Sequence, residues 1–268
     1  MKKKIIFTFV LPFAYFFKTA TAQFPYKLSW GKESILFATG FIVGITASAV
    51  DDEVTPLTQY DLSRLNKNNL NFLDRSAINF YSQSNARISD VALVTCIASP
   101  ALLLAGKKSR NEFGIISVMY IETMILGVFL PSYGKGGVKR VRPFVYGNKA
   151  PLEEKLTAEA KRSFFSGHTT LAFSSAVFFS TVYSSYYPNS KYKPFVWGGS
   201  LLAASTVGFM RYRSGAHFPT DVLVGAAVGS LVGYFVPFLH KNKKQNDVTI
   251  LPFFQNNRTG LSVVWNLN

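Results

Sequence analysis

The stretch Arg211-Tyr-Arg-Ser-Gly-Ala-His217-Phe-Pro-Thr-Asp221 leads without a break into Val222–Leu239, which carries no charged residue. A cationic, histidine-bearing segment is thus joined to a run of membrane-crossing length, for which a helix needs about 20 residues and at least about 17. Pro219 suits the first turn of that helix. His217 and Asp221 are four apart, so one helical turn would bring them together. A carboxylate on one imidazole nitrogen fixes the tautomer and leaves the other nitrogen free to attack.

Five further apolar runs precede this one: Ser34–Val50, Val91–Ala105, Phe113–Ser132, Thr169–Tyr187 and Phe195–Phe209. The second and fifth of these are short, so their helices must extend into flanking polar residues. Composition agrees with lipid contact: 48% of residues are hydrophobic and 16% charged, against about a quarter charged in soluble domains. The pattern predicts an all-α fold, a six-helix transmembrane bundle over residues 33–240. So many apolar runs in one chain argue against the alternative, a soluble helical bundle. Between the first two runs, Leu62, Leu65, Leu70, Phe72, Leu73, Ile78 and Phe80 alternate with polar residues. That reads as one or two interfacial amphipathic helices, with Ser89 and Asp90 as caps of the second span.

The two ends of the chain differ from the middle. Lys2, Lys3 and Lys4, an apolar run from Ile5 to Phe17, and Ala20-Thr21-Ala22 read as a signal peptide over residues 1–22, or an uncleaved anchor. Val248–Phe254 and Leu261–Trp265 are rich in β-branched and aromatic residues, with Asn256, Asn257 and Gly260 between them. They predict a short C-terminal β-hairpin within residues 248–268. Cys96 stands alone inside an apolar run, so it forms no intrachain disulfide, and no Cys-His metal spacing is present.

The net charge is +15. The basic residues fall in clusters between apolar runs: Lys107, Lys108 and Arg110; Lys191 and Lys193; Lys241, Lys243 and Lys244. Such clusters mark cytoplasmic loops of a multispanning protein and argue against nucleic acid as a partner. Glu122 lies within the third span, where an acid is expected to face the bundle interior with a hydrogen-bonding partner.

Two more motifs join the first. Lys135-Gly-Gly-Val-Lys-Arg-Val-Arg142-Pro143 ends the third run, and Ser163-Phe-Phe-Ser166-Gly167-His168 opens the fourth. If each run crosses once, all three motifs reach one face of the membrane. Lys135, Arg142 and Arg211 are cations suited to a phosphate dianion. Ser166 and Gly167 stand at a predicted helix N-terminus, where free N–H groups point at an anion. His168 is placed to protonate a departing oxygen. Each motif alone has a plain structural explanation, as a topology signal, a cap or a hydrogen-bonded pair. Their joint occurrence in this order carries the inference.

In these motifs the chain resembles the type 2 phosphatidic acid phosphatase (PAP2) superfamily. The family pattern is Lys-x6-Arg-Pro, then Pro-Ser-Gly-His, then Ser-Arg-x5-His-x3-Asp. Lys135 to Pro143 fits in full; Phe165 replaces the proline of the second motif and Met210 the leading serine of the third. The resemblance implies a phosphohistidine on His217, with Asp221 as its partner and His168 as general acid. It implies phosphate binding by Lys135, Arg142, Ser166, Gly167 and Arg211, without metal or cofactor. Arg213 has no role in the pattern and reads as a headgroup contact.

The expected reaction is hydrolysis of a phosphate ester or diphosphate of a lipid: lipid A, undecaprenyl diphosphate or a phospholipid. Phosphorylated lipid substrate and membrane lipids are the expected partners. The three basic loops place the motifs on the periplasmic side of a bacterial inner membrane, whereas a cleaved signal peptide and six crossings would place them inside. The agreement among the loops decides for the periplasm. A vanadium haloperoxidase shares similar motifs without the membrane layout. A degenerate scaffold or transporter would bind phosphorylated lipid without releasing phosphate.

Overall fold

The structure, a computed structural model, describes residues 24–242, 248–255 and 258–265. The predicted signal peptide over residues 1–22 lies outside the described residues, as do Lys243, Lys244 and the turn residues Asn256 and Asn257. Six long helices organise the described chain: α1 (Trp30–Asp52), α2 (Gln83–Ala98), α3 (Phe113–Val138), α4 (Gly167–Tyr186), α5 (Lys193–Arg213) and α6 (Pro219–Leu239). α2 continues as a 3-10 helix over Ser99–Ala105. The two shortest apolar runs of the sequence therefore sit in helices that reach into polar residues, starting at Gln83 and at Lys193. Backbone pairing joins β1 (Val248–Gln255) antiparallel to β2 (Arg258–Trp265).

α1, α2 with its extension, α3 and α6 are long and apolar enough to cross a membrane, as in an integral membrane protein. α4 and α5 fall short by composition, and for α4 the reason is its place in the bundle. Thirteen of its 20 residues are buried, including Thr169, Thr170, Ser174, Ser175 and Ser180. It packs against protein rather than lipid, so hydroxyls are tolerated. Phe178, Phe179, Val182 and Tyr186 form a core with Ile116 and Met119 of α3 and Val232 and Val236 of α6. On its other side Ala172 and Ala176 meet Cys96 of α2 and Ala204 and Val207 of α5. Phe41, Ile42 and Ile45 of α1, Val91 and Val94 of α2, and Phe195, Leu202 and Phe209 of α5 remain exposed. These apolar stripes suit contact with acyl chains.

The segment between α1 and α2 is not one or two continuous amphipathic helices. It holds the short helices Gln59–Ser63 and Phe72–Arg75 and a 3-10 turn at Lys67–Asn69, each capped by a Thr or Asn side chain. Leu57, Leu62 and Leu65 pack on Phe144, Val145, Ala150 and Ala160, covering the connection between α3 and α4. The start of α2 is capped by Ser82, whose hydroxyl accepts from the Asn85 N–H at 3.2 Å. Ser89 and Asp90 lie inside the helix instead, because α2 begins earlier than its apolar run.

α6 lies directly on the backbone of α4. A Cβ added at Gly225, Gly229 or Gly233 would come within 2.7, 2.3 or 2.4 Å of the carbonyl oxygens of Ser166, Thr170 and Ser174. The four-residue spacing puts the three glycines on one stripe, the small-residue packing that allows close helix approach in membranes. Gly229→Ala must push the helices apart. It is expected to cost about 1–3 kcal/mol, read as a lower melting temperature in detergent. Unchanged melting would mean the stripe does not set the contact.

Candidate active site

The three motifs meet at the end of the bundle formed by the C-termini of α3 and α5 and the N-termini of α4 and α6. Backbone hydrogen bonds tie them pairwise. Ser163 N–H donates to Arg140 O at 3.0 Å, Phe144 N–H to Gly215 O at 3.1 Å, and Ser166 N–H to Asp221 O at 3.2 Å. Gly215 has φ of +80, and a Cβ there would lie 2.0 Å from the Phe80 carbonyl oxygen. Only glycine allows that turn between α5 and α6.

His217 is 2% exposed. Its Nδ1 donates to the Ser163 carbonyl at 2.7 Å, which leaves Nε2 as the free nitrogen. The Asp221 carboxylate is 3.9 Å from Nδ1, so the expected His217–Asp221 hydrogen bond is not made. Asp221 instead accepts from Ser163 Oγ at 2.5 Å and from the Phe218 N–H at 2.9 Å, and pairs with Arg140. The four-residue spacing did bring His217, which lies just before α6, close to Asp221, but a backbone carbonyl from the neighbouring motif took the nearer place. The carboxylate acts on the imidazole indirectly, by holding Ser163.

Arg140, counted from the sequence only as one cation of its motif, organises this support. Its guanidinium pairs with Asp221 and, at 2.6 Å, with buried Asp74, and donates to Thr220 Oγ1 at 2.8 Å. It also lies 4.2 Å from the centre of the Phe218 ring. Asp74 comes from the segment before α2, and no spacing in the sequence connects it to the motifs.

His168, in the first turn of α4, is about a third exposed, at 34%. Its Nε2 meets Asp90 Oδ1 at 2.9 Å, and Arg211 Nη1 lies 3.8 Å from the same oxygen. The open side of the site is thus the side of His168. Ser166 caps α4, accepting from Thr169 Oγ1 at 2.8 Å. The N–H groups of Gly167 and His168 have no partner among the described residues. A Cβ at Gly167 would sit 3.9 Å from Lys135 Nζ, so the bare Cα leaves space in front of that ammonium.

Arg142 and Arg211 are 8% and 9% exposed, and the Nε donor of each is buried without a partner. Arg142 also pairs with Glu159, which in turn reaches Arg162 at 3.5 Å. Lys135 forms no ion pair among the described residues. The charges of Lys135 and Arg211 act on both imidazoles. Three cations, two free helix N–H groups and two unpartnered guanidinium donors therefore surround one region, an arrangement that an anion would complete. Arg213, by contrast, stacks on Phe80 with its guanidinium 4.2 Å from the ring centre. Phe165 is buried against Gly134 of α3, where a Cβ would meet its ring at 2.9 Å.

Burial, and after it the charges of Arg142 and Arg211, hold the His217 pKa well below the ordinary 6.5, against the hydrogen bond to Ser163, which raises it. The ring is therefore neutral at neutral pH, with Nδ1 protonated and an electron pair on Nε2. Nitrogen-15 NMR of histidine-labelled protein should find His217 in this single neutral form at about pH 6. A doubly protonated ring there would contradict the assignment.

A PAP2 superfamily model matches residues 116–245. Over 155 residues the chain is 28% identical to a lipid A 4'-phosphatase of Porphyromonas gingivalis, covering 54% of this chain and 58% of that protein. The chain thus matches under two thirds of this curated relative's length. A crystal structure of a transmembrane PAP2 type phosphatidylglycerolphosphate phosphatase from Bacillus subtilis aligns at a TM-score of 0.46 with 22% identity, covering 80% of this chain and 98% of that one. The residues matched by the PAP2 superfamily model, 116–245, hold Lys135, Arg142, His168, Arg211 and His217.

Proposed function

We propose that the protein removes phosphate from a lipid phosphate ester or diphosphate through a phosphohistidine on His217. One observation carries this reading: Arg142 and Arg211 hold buried, unpartnered Nε donors beside a neutral imidazole whose Nδ1 is already engaged. Such a cluster of like charges is costly by itself and is relieved by a multivalent anion.

The phosphoryl group binds among Lys135, Arg142, Arg211 and the N–H groups of Gly167 and His168, with Ser166 fixing the helix end. The His217 Nε2 electron pair attacks phosphorus, and the bond from phosphorus to the lipid oxygen breaks. His168 donates a proton to that oxygen. Asp90, whose carboxylate oxygen meets His168 Nε2 at 2.9 Å, orients that ring for the transfer. A water then attacks the phosphohistidine, His168 takes its proton, the phosphorus–nitrogen bond breaks and inorganic phosphate leaves. The cations act chiefly by stabilising charge in the transition state, usually the largest catalytic contribution. Asp221, through Ser163, positions the nucleophile.

The substrate class follows from the setting. The site lies where helix ends meet the membrane surface, so a headgroup phosphate can enter past His168 while its acyl or prenyl chains stay in lipid. Lipid A, undecaprenyl diphosphate and phospholipids all satisfy that geometry. We read all six helices as spans, with the site on the periplasmic face of a bacterial inner membrane. The connections at Lys107–Arg110 and Lys191–Lys193, and Lys241 after α6, lie at the opposite helix ends from the motifs. Basic loops of this kind stay in the cytoplasm.

Detergent-solubilised protein should release phosphate from at least one member of a panel of lipid A, phospholipids and polyprenyl diphosphate. Alkali-quenched turnover of substrate radiolabelled in its phosphoryl group should trap label on the wild type that is stable to base and lost in acid, and none on His217→Ala. Label on that variant, or near wild-type turnover by it, would exclude His217 as nucleophile. Protein that binds these lipids but releases no phosphate would favour a scaffold. Gly167→Ala places a methyl in ordinary contact with Lys135 Nζ, so it should preserve melting yet lower phosphate release by about a hundredfold, as misplacement of a bound group can. Unchanged release would remove Gly167 from the anion site.

A further inference from the structure

At the opposite end of α6, three ligand-type side chains converge that the proposed chemistry does not use. Glu33 from the first turn of α1, Glu122 from the middle of α3 and His240 at the C-cap of α6 bring one ligand atom each within 4.8 Å of one another. His240 Nε2 lies 2.9 Å from Glu33 Oε2 and 3.3 Å from Glu122 Oε2. The second distance is within ion-pair range but lacks hydrogen-bond geometry, and neither Glu122 oxygen has a hydrogen-bond partner.

Glu122 is 5% exposed. Beyond the cluster it borders an apolar cleft lined by Leu36, Ile125, Leu126, Val232 and Val236, whose one hydroxyl, on Thr39, does not bond to it. No lysine or arginine among the described residues pairs with either carboxylate. A carboxylate so placed is expensive unless a cation compensates it. The expectation from the sequence, a hydrogen-bonded partner for Glu122, is thus not met by the protein's own groups.

The tautomer of His240 sharpens the point. Its Nδ1 donates to the Val236 carbonyl at 2.8 Å. In the neutral ring, Nε2 then presents an electron pair to two carboxylate oxygens. A proton on Nε2 would hydrogen-bond Glu33 and leave Glu122 within ion-pair range but without a hydrogen bond, one positive charge facing two carboxylates. A divalent cation would compensate both carboxylates and accept the imidazole electron pair together. The remaining contacts look like supports for ligands: Ser29 N–H donates to Glu33 Oε1 at 2.5 Å, and Lys27 N–H to the His240 carbonyl at 3.0 Å. Tetrahedral zinc with nitrogen and oxygen ligands separates its ligand atoms by about 3.3 Å, close to the spacing around Nε2. A backbone carbonyl on the second ring nitrogen is the usual orienting contact of a metal-bound histidine.

We propose that Glu33, Glu122 and His240 bind a divalent transition cation, zinc by the donor set, that fastens α1, α3 and α6 together at the end remote from the phosphate site. The role is structural, so phosphate release is not the readout.

The test uses the full chain in detergent, stripped with EDTA and dialysed, then given zinc chloride or magnesium chloride. Elemental analysis after gel filtration should find about one zinc per chain, with a higher melting temperature in zinc and none of that gain in magnesium. In the histidine-labelled wild type, zinc should move the His240 Nε2 resonance and leave those of His168 and His217 in place. Glu122→Gln and His240→Gln should each retain less than a tenth of the zinc. The proposal is overturned by wild-type protein that keeps less than a tenth of an equivalent. It is equally overturned if the zinc-shifted resonances belong to His168 or His217, a readout that needs no variant to fold.

Discussion

The close approach of α6 to α4 is the constraint on which the site rests. Gly225, Gly229 and Gly233 let one helix lie against the carbonyl oxygens of the other. In lipid no hydrophobic force draws helices together, so van der Waals contact at such a stripe must supply much of the association. Ser166 caps α4 and its first turn carries Gly167 and His168, and the first turn of α6 carries Asp221, with His217 just before it. Fixing the two axes therefore fixes both imidazoles against one another. The Ser166 N–H to Asp221 carbonyl bond and the His217 to Ser163 carbonyl bond set the register at that end.

A second layer keeps the charged groups in place. Asp74 and Asp221, both buried, are joined through partly buried Arg140 in a chain of ion pairs, with Phe218 beneath the guanidinium. Breaking a pair of this kind is far more damaging than forming it is stabilising, since a charge would be left without compensation. The segment before α2 is thereby bound to the motif loops on either side of His217, through Asp74 to Arg140 and Thr220 and through the Ser82 N–H to the Ser214 carbonyl. His217 is almost wholly buried, while the His168 side chain remains partly open.

Much of this was legible in the sequence, and the missing parts share a physical cause. The helices and their motifs were readable because each depends on local periodicity and spacing: Lys135 to Arg142, Ser166 to His168, Arg211 to Asp221. The expected hydrogen bond between His217 and Asp221 is not made because a spacing of four residues gives a distance and not a hydrogen bond. The competing Ser163 carbonyl sits 54 residues away in the chain. Asp90 was read as a cap because the start of α2 lies in polar residues before its apolar run. Asp74 and the group of Glu33, Glu122 and His240 had no local signal, being joined only by the packing of separate helices.

A crystal structure with bound orthovanadate, which takes the trigonal-bipyramidal shape of a phosphoryl group in transfer, would test the account at its centre. Vanadium bonded to His217 Nε2, with its equatorial oxygens reaching Lys135, Arg142, Arg211 and the N–H groups of Gly167 and His168, is the predicted result. Vanadate bound elsewhere, or held by the cations with His217 Nε2 turned away from it, would contradict it.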